Sequence, residues 1–206
     1  MNQKYVYIVF SATPYRIGKM IRSFTKDDYN HASISLDEDL SRMYGFARRY
    51  CKVPMYGGFV KESTSRFNPN GVNSSIKVHR IPVSAETYEA LENRFATMYE
   101  HREEYLYNHL SFLAVPLKKP IPIRDAYTCL EFCVEVMYSI GLDVTPGKYY
   151  SIHDILTFLE PYTLYEGPMP QNSEYDAEFF AKRPVPHPTL TSVKCFFDLV
   201  PRIKQN

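Results

Sequence analysis

Ala126-Tyr127-Thr128-Cys129-Leu130-Glu131-Phe132-Cys133 is the stretch on which the reading of this chain turns. Thr128 followed by Glu131 has the spacing of a capping box, with an apolar run behind it, so the stretch opens a helix. Cys129 then falls in the first turn, where backbone N–H groups and the positive end of the helix dipole converge. A thiol held there can have a lowered pKa and carry more thiolate, the nucleophilic form. Its own N–H is a natural donor to an oxyanion. An unbridged cysteine is more often a small buried hydrophobe, and Cys133 provides the comparison within the same helix. It lies one turn further along the same apolar face and reads as packing. Cys129, Phe132, Cys133, Val136 and Ile140 share that face, and Gly141 is the expected stop.

Thiol catalysis also needs a base that later acts as an acid. His31-Ala32-Ser33-Ile34-Ser35-Leu36 alternates as a strand, with Ala32, Ile34 and Leu36 on one face and His31, Ser33 and Ser35 on the other. Asp37-Glu38-Asp39 makes a turn, and Arg42-Met43-Tyr44-Gly45-Phe46-Ala47 returns as the second strand of a hairpin. His31, on the polar face, is the candidate base. His153, in the first turn of a helix opened by Ser151 and Asp154, is the rival and is expected to face solvent. His79 sits on an alternating strand, His101 and His109 in charged helical surroundings, and His187 between prolines. A third group would orient the imidazole. Glu62, Ser35 and Asp37 are the candidates, and the sequence does not choose among them.

The 206 residues suit one domain, taken here as 1–206 with a proline-rich surface tail from about residue 168. The 45% hydrophobic and 23% charged shares are those of a globular protein able to bury a sizeable core. A net charge of +1 gives no broad field to attract nucleic acid or an anionic membrane. Eighteen tyrosines and no tryptophan suit half-wet sheets and cleft walls. The four cysteines, Cys51, Cys129, Cys133 and Cys195, include no CxxC pair and no surrounding His cluster. They read as reduced thiols, with no metal and no cofactor. Cys51 is expected to be an exposed bystander and Cys195 a core residue. The N-terminus lacks the apolar region of a signal peptide, and no run approaches the roughly 18 apolar residues of a membrane span. A cytoplasmic protein is the expectation.

The remaining elements follow from periodicity. Tyr5 to Phe10 is an unbroken apolar run, expected as a central strand buried on both faces. Thr13-Pro14 opens a helix with Ile17, Met20 and Ile21 in one stripe. Gly57-Gly58 suggests a tight turn into a short strand, and Asn68-Pro69-Asn70-Gly71 a loop. Ile76 to Ile81 alternates as an edge or half-buried strand. Ser84 caps a helix with the stripe Tyr88, Leu91, Phe95 and Met98. A helical piece is expected over Tyr105 to Leu113, ended at Val115-Pro116.

A histidine strand and hairpin, followed by a helix opened at Tyr127-Thr128-Cys129-Leu130-Glu131-Phe132, resembles the circularly permuted NlpC-type papain-like cysteine hydrolases. In that family the histidine strand precedes the cysteine helix, reversing the papain order. Its nucleophile motif carries an aromatic residue shortly before the cysteine and a glutamate two positions after it, here Tyr127 and Glu131. Its histidine is followed by an apolar alternation, here Ala32, Ile34 and Leu36. The resemblance runs from about Tyr5 to Ile140. It implies an α+β fold with an antiparallel sheet packed against helices, the nucleophile helix among them, and a catalytic pair of Cys129 and His31. Relatives often place an acidic residue or second histidine on the strand after the histidine, whereas Met43-Tyr44-Gly45-Phe46 holds neither.

The leading expectation is a thiol hydrolase that cleaves an amide or ester of a small molecule, peptide or lipid through a Cys129 thioester. An acyltransferase using the same pair is the close rival. A non-catalytic binding module on a decayed hydrolase scaffold is the reading from a different class; the empty third position favours it, and the retained Cys129 and His31 oppose it. Nucleic acid is not an expected partner.

Overall fold

A computed structural model describes residues 3–53, 55–71, 73–171, 174–182, 185 and 187–203, except the side chains at 17, 20, 21, 24, 25 and 70. In chain order the elements are β1 (Lys4–Ser11), α1 (Arg16–Thr25), β2 (His31–Ser35), β3 (Met43–Arg48), β4 (Gly57–Glu62), β5 (Ser75–Val83), α2 (Ala85–Glu100), β6 (Leu106–Tyr107), α3 (His109–Leu113), β7 (Ala126–Tyr127), α4 (Cys129–Ser139), α5 (Ile152–Leu159), β8 (Thr163–Pro168) and α6 (Pro188–Phe197). The fold class is α+β. The apolar stripe expected for the first helix, Ile17, Met20 and Ile21, lies outside the described residues, although its backbone is helical.

Six strands form one sheet in the order β4-β3-β2-β1-β5-β8. β1 runs antiparallel to both neighbours, with Val9 opposite Ser33 on one side and Val78 on the other. Val6 through Ser11 are all buried, the two-faced burial that an unbroken apolar run predicts. β2 and β3 form the expected hairpin, pairing Ile34 with Tyr44 and Ser35 with Met43.

β5 is interior rather than an edge strand, because β8 pairs along its outer side with a register shift at Val78/His79. β8 is almost wholly exposed and carries no alternation, so only its backbone pairing makes it a strand. The Gly57-Gly58 pair lies within β4 instead of a turn. A Cβ on Gly57 would sit 2.9 Å from both the Ala47 carbonyl oxygen and the Tyr107 Cβ, so the glycine permits a close approach. The helix expected over Tyr105–Leu113 is shorter. Leu106 and Tyr107 pair in parallel with Ala126 and Tyr127, and the Asn108 side chain then accepts from the Ser111 N–H and starts α3. α2 keeps its predicted cap, with Ser84 Oγ accepting from the Thr87 N–H at 3.0 Å, and its stripe is buried.

The chain forms two compact units. The first comprises Met1–Tyr44, Lys61–Arg94 and Tyr150–Tyr175; the second comprises Gly45–Val60, Phe95–Tyr149 and Asp176–Asn206. In the first, Tyr7, Val9, Leu40, Met43, Phe67, Ile76, Val78 and Met169 make a buried cluster. In the second, Phe46, Phe59, Phe95 and Phe132 are at most 1% exposed, and their contacting rings have centroids 5.1 to 6.1 Å apart. Edge-on and tilted ring pairs of this kind add to what their buried area contributes. Phe132 belongs to α4, so this cluster anchors the helix that Cys129 opens. Among the described residues, no helix is long and apolar enough to cross a membrane.

Candidate active site

α4 begins at Cys129 with the predicted capping box formed in both directions. The Glu131 N–H donates to Thr128 Oγ1 at 3.1 Å, and the Thr128 N–H donates to Glu131 Oε2 at 2.7 Å. Asn108 Nδ2 adds a donor to the same carboxylate at 3.3 Å and donates to the Ile121 carbonyl at 2.9 Å. Burial pushes the Glu131 carboxyl above its ordinary range, and the Ser111 hydroxyl, then Thr128 and Asn108, oppose the shift.

The pairing of β6 with β7, together with an Asn108 N–H bond to the Tyr127 carbonyl at 2.9 Å, fastens Tyr107 beside the helix start. The Tyr107 hydroxyl hydrogen-bonds to the Cys129 thiol, and its oxygen accepts from the Cys129 N–H. Burial first, then the neighbouring thiol and Glu131, push this phenol well above its usual pKa, so it remains a neutral donor. Nothing local in the sequence marks Tyr107; only a two-residue parallel pairing brings it to Cys129. Cys129 is 9% exposed and Cys133 is 1% exposed. Burial, with Cys129 close by, raises the Cys133 thiol far above the ordinary thiol range, and its Sγ lies 3.9 Å from the Met137 sulfur.

His31 is the first residue of β2. Its Nε2 lies 2.9 Å from Glu62 Oε1 and 3.1 Å from Oε2. Glu62 ends β4 and is 3% exposed. The Ser33 hydroxyl donates to its Oε2. Burial alone would raise the Glu62 carboxyl, but the charge and hydrogen bond of His31, the Ser33 hydroxyl and the charge of Arg66 outweigh it, and the net shift is downward. The imidazole stacks on Phe67 with centroids 6.0 Å apart and 29° between planes. An ionised carboxylate only accepts, so Nε2 carries the proton toward Glu62 and Nδ1 is the nitrogen with a basic lone pair in the neutral ring.

Of the three candidates for the orienting group, Glu62 meets His31. Ser35 and Asp37 instead close the hairpin turn. Ser35 Oγ donates to the Asp37 carbonyl at 2.8 Å, and Asp37 accepts from Ser41 Oγ at 2.7 Å and from the Arg42 N–H at 3.1 Å. The polar face of β2 is buried, not open, with His31 at 8% and Ser33 at 1% exposure.

The other histidines are placed elsewhere. His153 is exposed on α5, His101 is exposed beside Glu104, and His187 is exposed at the start of α6. His109 is buried with Nε2 2.8 Å from the Met55 carbonyl, and His79 is buried with Nδ1 3.0 Å from the Leu159 carbonyl. Cys195 is buried and Cys51 half-buried. Cys129 belongs to the second compact unit; His31, Ser33 and Glu62 belong to the first. Among the described residues, no group of three or more His, Cys, Asp or Glu side chains could hold a metal ion.

No protein-family model matches the chain, and no curated protein matches it. Among solved structures, the chain is similar to the type VI secretion system effector TseH, at 16% sequence identity and a TM-score of 0.38, over 81% of this chain and 98% of that one.

Proposed function

We propose that the protein is a thiol hydrolase of the circularly permuted, NlpC-type papain-like class, cleaving an amide or ester bond. The observation that carries this reading is the buried His31–Glu62 pair, in a chain that also opens a capped helix with a thiol. A buried carboxylate is costly unless paired, and here it is committed to one imidazole nitrogen. That is the task of the third member of a nucleophile–base–orienter set: it fixes the tautomer and stabilises the imidazolium.

In this mechanism His31 Nδ1 takes the thiol proton and Cys129 Sγ attacks the carbonyl carbon. The tetrahedral oxyanion is met by the Cys129 N–H and the Tyr107 hydroxyl, which exchange their bonds to each other and to the thiol for bonds to the substrate oxygen. The imidazolium returns its proton to the leaving amine or alcohol, leaving a thioester. Water, deprotonated by His31, then hydrolyses it through a second oxyanion. Glu62 fills the orienting role that the strand after the histidine leaves empty, and this favours a working hydrolase over a non-catalytic module.

Labelling of the intact protein with a thiol-directed acyl mimic, mapped by mass spectrometry, tests the reading without a known substrate. Modification at Cys129, reduced by His31→Gln and by Glu62→Gln, is the expected result. Labelling that ignores both substitutions would sink it.

A further inference from the structure

We propose that Ser33 is a positioning residue that holds Glu62 as a carboxylate turned toward His31, and thereby sets which imidazole nitrogen carries the proton. Ser33 lies two residues after His31 on β2, so both side chains project from the same face of the strand. Its hydroxyl donates to Glu62 Oε2, while His31 Nε2 lies within hydrogen-bonding distance of both carboxylate oxygens. Ser33 is 1% exposed and Glu62 is 3% exposed, so little water compensates for a lost donor. Among the described residues, the charged and polar groups that act on Glu62 are His31 and Ser33 from β2 and Arg66 from the turn Thr64–Phe67 that follows β4.

A serine hydroxyl has one proton. Spent on Oε2, it favours the ionised acid, because a protonated Glu62 would need its own acceptor in the same space. Ionised Glu62 in turn requires a proton on His31 Nε2 and leaves Nδ1 as the base. Without Ser33, the carboxylate is no longer fixed and its hold on the Nε2 proton weakens, so the neutral ring also populates the Nδ1–H tautomer, which has no basic lone pair at Nδ1. The catalytic consequence rests on the hydrolase reading; the protonation states do not.

The test uses the full chain labelled with 13C at glutamate carboxyls and 15N at histidine rings. Signals are assigned by their loss in Glu62→Gln and His31→Gln. Native protein is expected to titrate Glu62 below the ordinary carboxylate range, with His31 as the Nε2–H tautomer. Ser33→Ala should raise the Glu62 midpoint by about one pH unit and populate the Nδ1–H tautomer of the neutral ring above the histidine midpoint. Ser33→Thr, which keeps the hydroxyl, should restore both. An unmoved midpoint in folded Ser33→Ala, or a threonine variant that behaves like alanine, overturns the proposal. If the alanine variant does not fold, Ser33→Cys, similar in size but a poor donor, is read in its place with the same expectations. Neither signal involves Cys129 or a substrate, so this failure is separable from failure of the hydrolase reading, which acyl labelling of Cys129 decides.

Discussion

Two thiols one helical turn apart have different surroundings. Cys129 has the first-turn N–H groups of α4 and the Tyr107 hydroxyl beside it, whereas Cys133 is sealed among apolar side chains that favour its neutral form. Iodoacetamide near neutral pH should therefore modify Cys129 well before Cys133; peptide mapping over time measures both, and equal rates in the folded protein would remove the activated nucleophile. His31 calls for a more careful substitution. A residue on the polar face of an exposed strand would tolerate alanine, but this one is 8% exposed and bonded to a buried carboxylate. Alanine there leaves Glu62 short of a donor, which typically costs several kcal/mol. Glutamine keeps an N–H near Glu62 while removing the base. His31→Gln should slow Cys129 alkylation at pH 6–7 with the circular dichroism spectrum unchanged, and superimposable rate–pH curves would exclude His31 as the partner.

At the scale of the element, α4 depends on a local device and a distant one. The local device is the reciprocal box of Thr128 and Glu131. Thr128→Ala should lower stability by about 1 kcal/mol in urea unfolding, the usual value of an N-cap side chain. The distant one is Phe132, locked among Phe46, Phe59 and Phe95. Phe132→Ala should cost about 3–5 kcal/mol, because the rings around it are held by one another and cannot collapse into the gap. If Phe132→Ala proved no more costly than Thr128→Ala, the aromatic cluster would not be what anchors the helix. The β5–β8 pairing carries no comparable side-chain signal. It is backbone hydrogen bonding with one bulge, joined by a Lys77–Glu166 ion pair at 3.5 Å, none of which periodicity registers.

For the whole molecule, the buried ionisable groups of the first unit make stability dependent on acid. His79 is buried, its Nδ1–H donates to the Leu159 carbonyl, and among the described residues its Nε2 has no partner. Burial pushes its pKa down from 6.5 to about 4, with the Leu159 carbonyl opposing the shift. The unfolded chain thus binds a proton that the folded protein refuses. The contribution is full above pH 6.5 and is lost as pH falls toward 4, in total on the order of 3 kcal/mol. Glu62, lowered from 4.5, has the same sign, but its loss comes at lower pH as it falls through the folded value. Urea unfolding should show stability declining between pH 6.5 and 4, and His79→Gln should flatten that decline. An equal slope in the variant would dismiss His79 as its origin.

What the amino-acid order determined by itself is whatever is decided within a turn or a strand's length. The capping boxes at Thr128–Glu131 and Ser151–Asp154, the stripe of α2, the unbroken run of β1 and the β2–β3 hairpin are of this kind, because a cap bonds three residues along and a strand's face repeats every second residue. Cys129 and His31 stood out for the same reason. Tertiary structure alone brought Glu62, and not Ser35 or Asp37, against His31, since β4 is not the neighbour of β2 in the strand order and the bond joins residues 31 apart. It alone brought Tyr107 to Cys129, through two residues of parallel pairing, and put β5 inside the sheet by adding β8. A strand's partner and the side chain that crosses to it depend on how distant segments share one buried space, and no local periodicity encodes that.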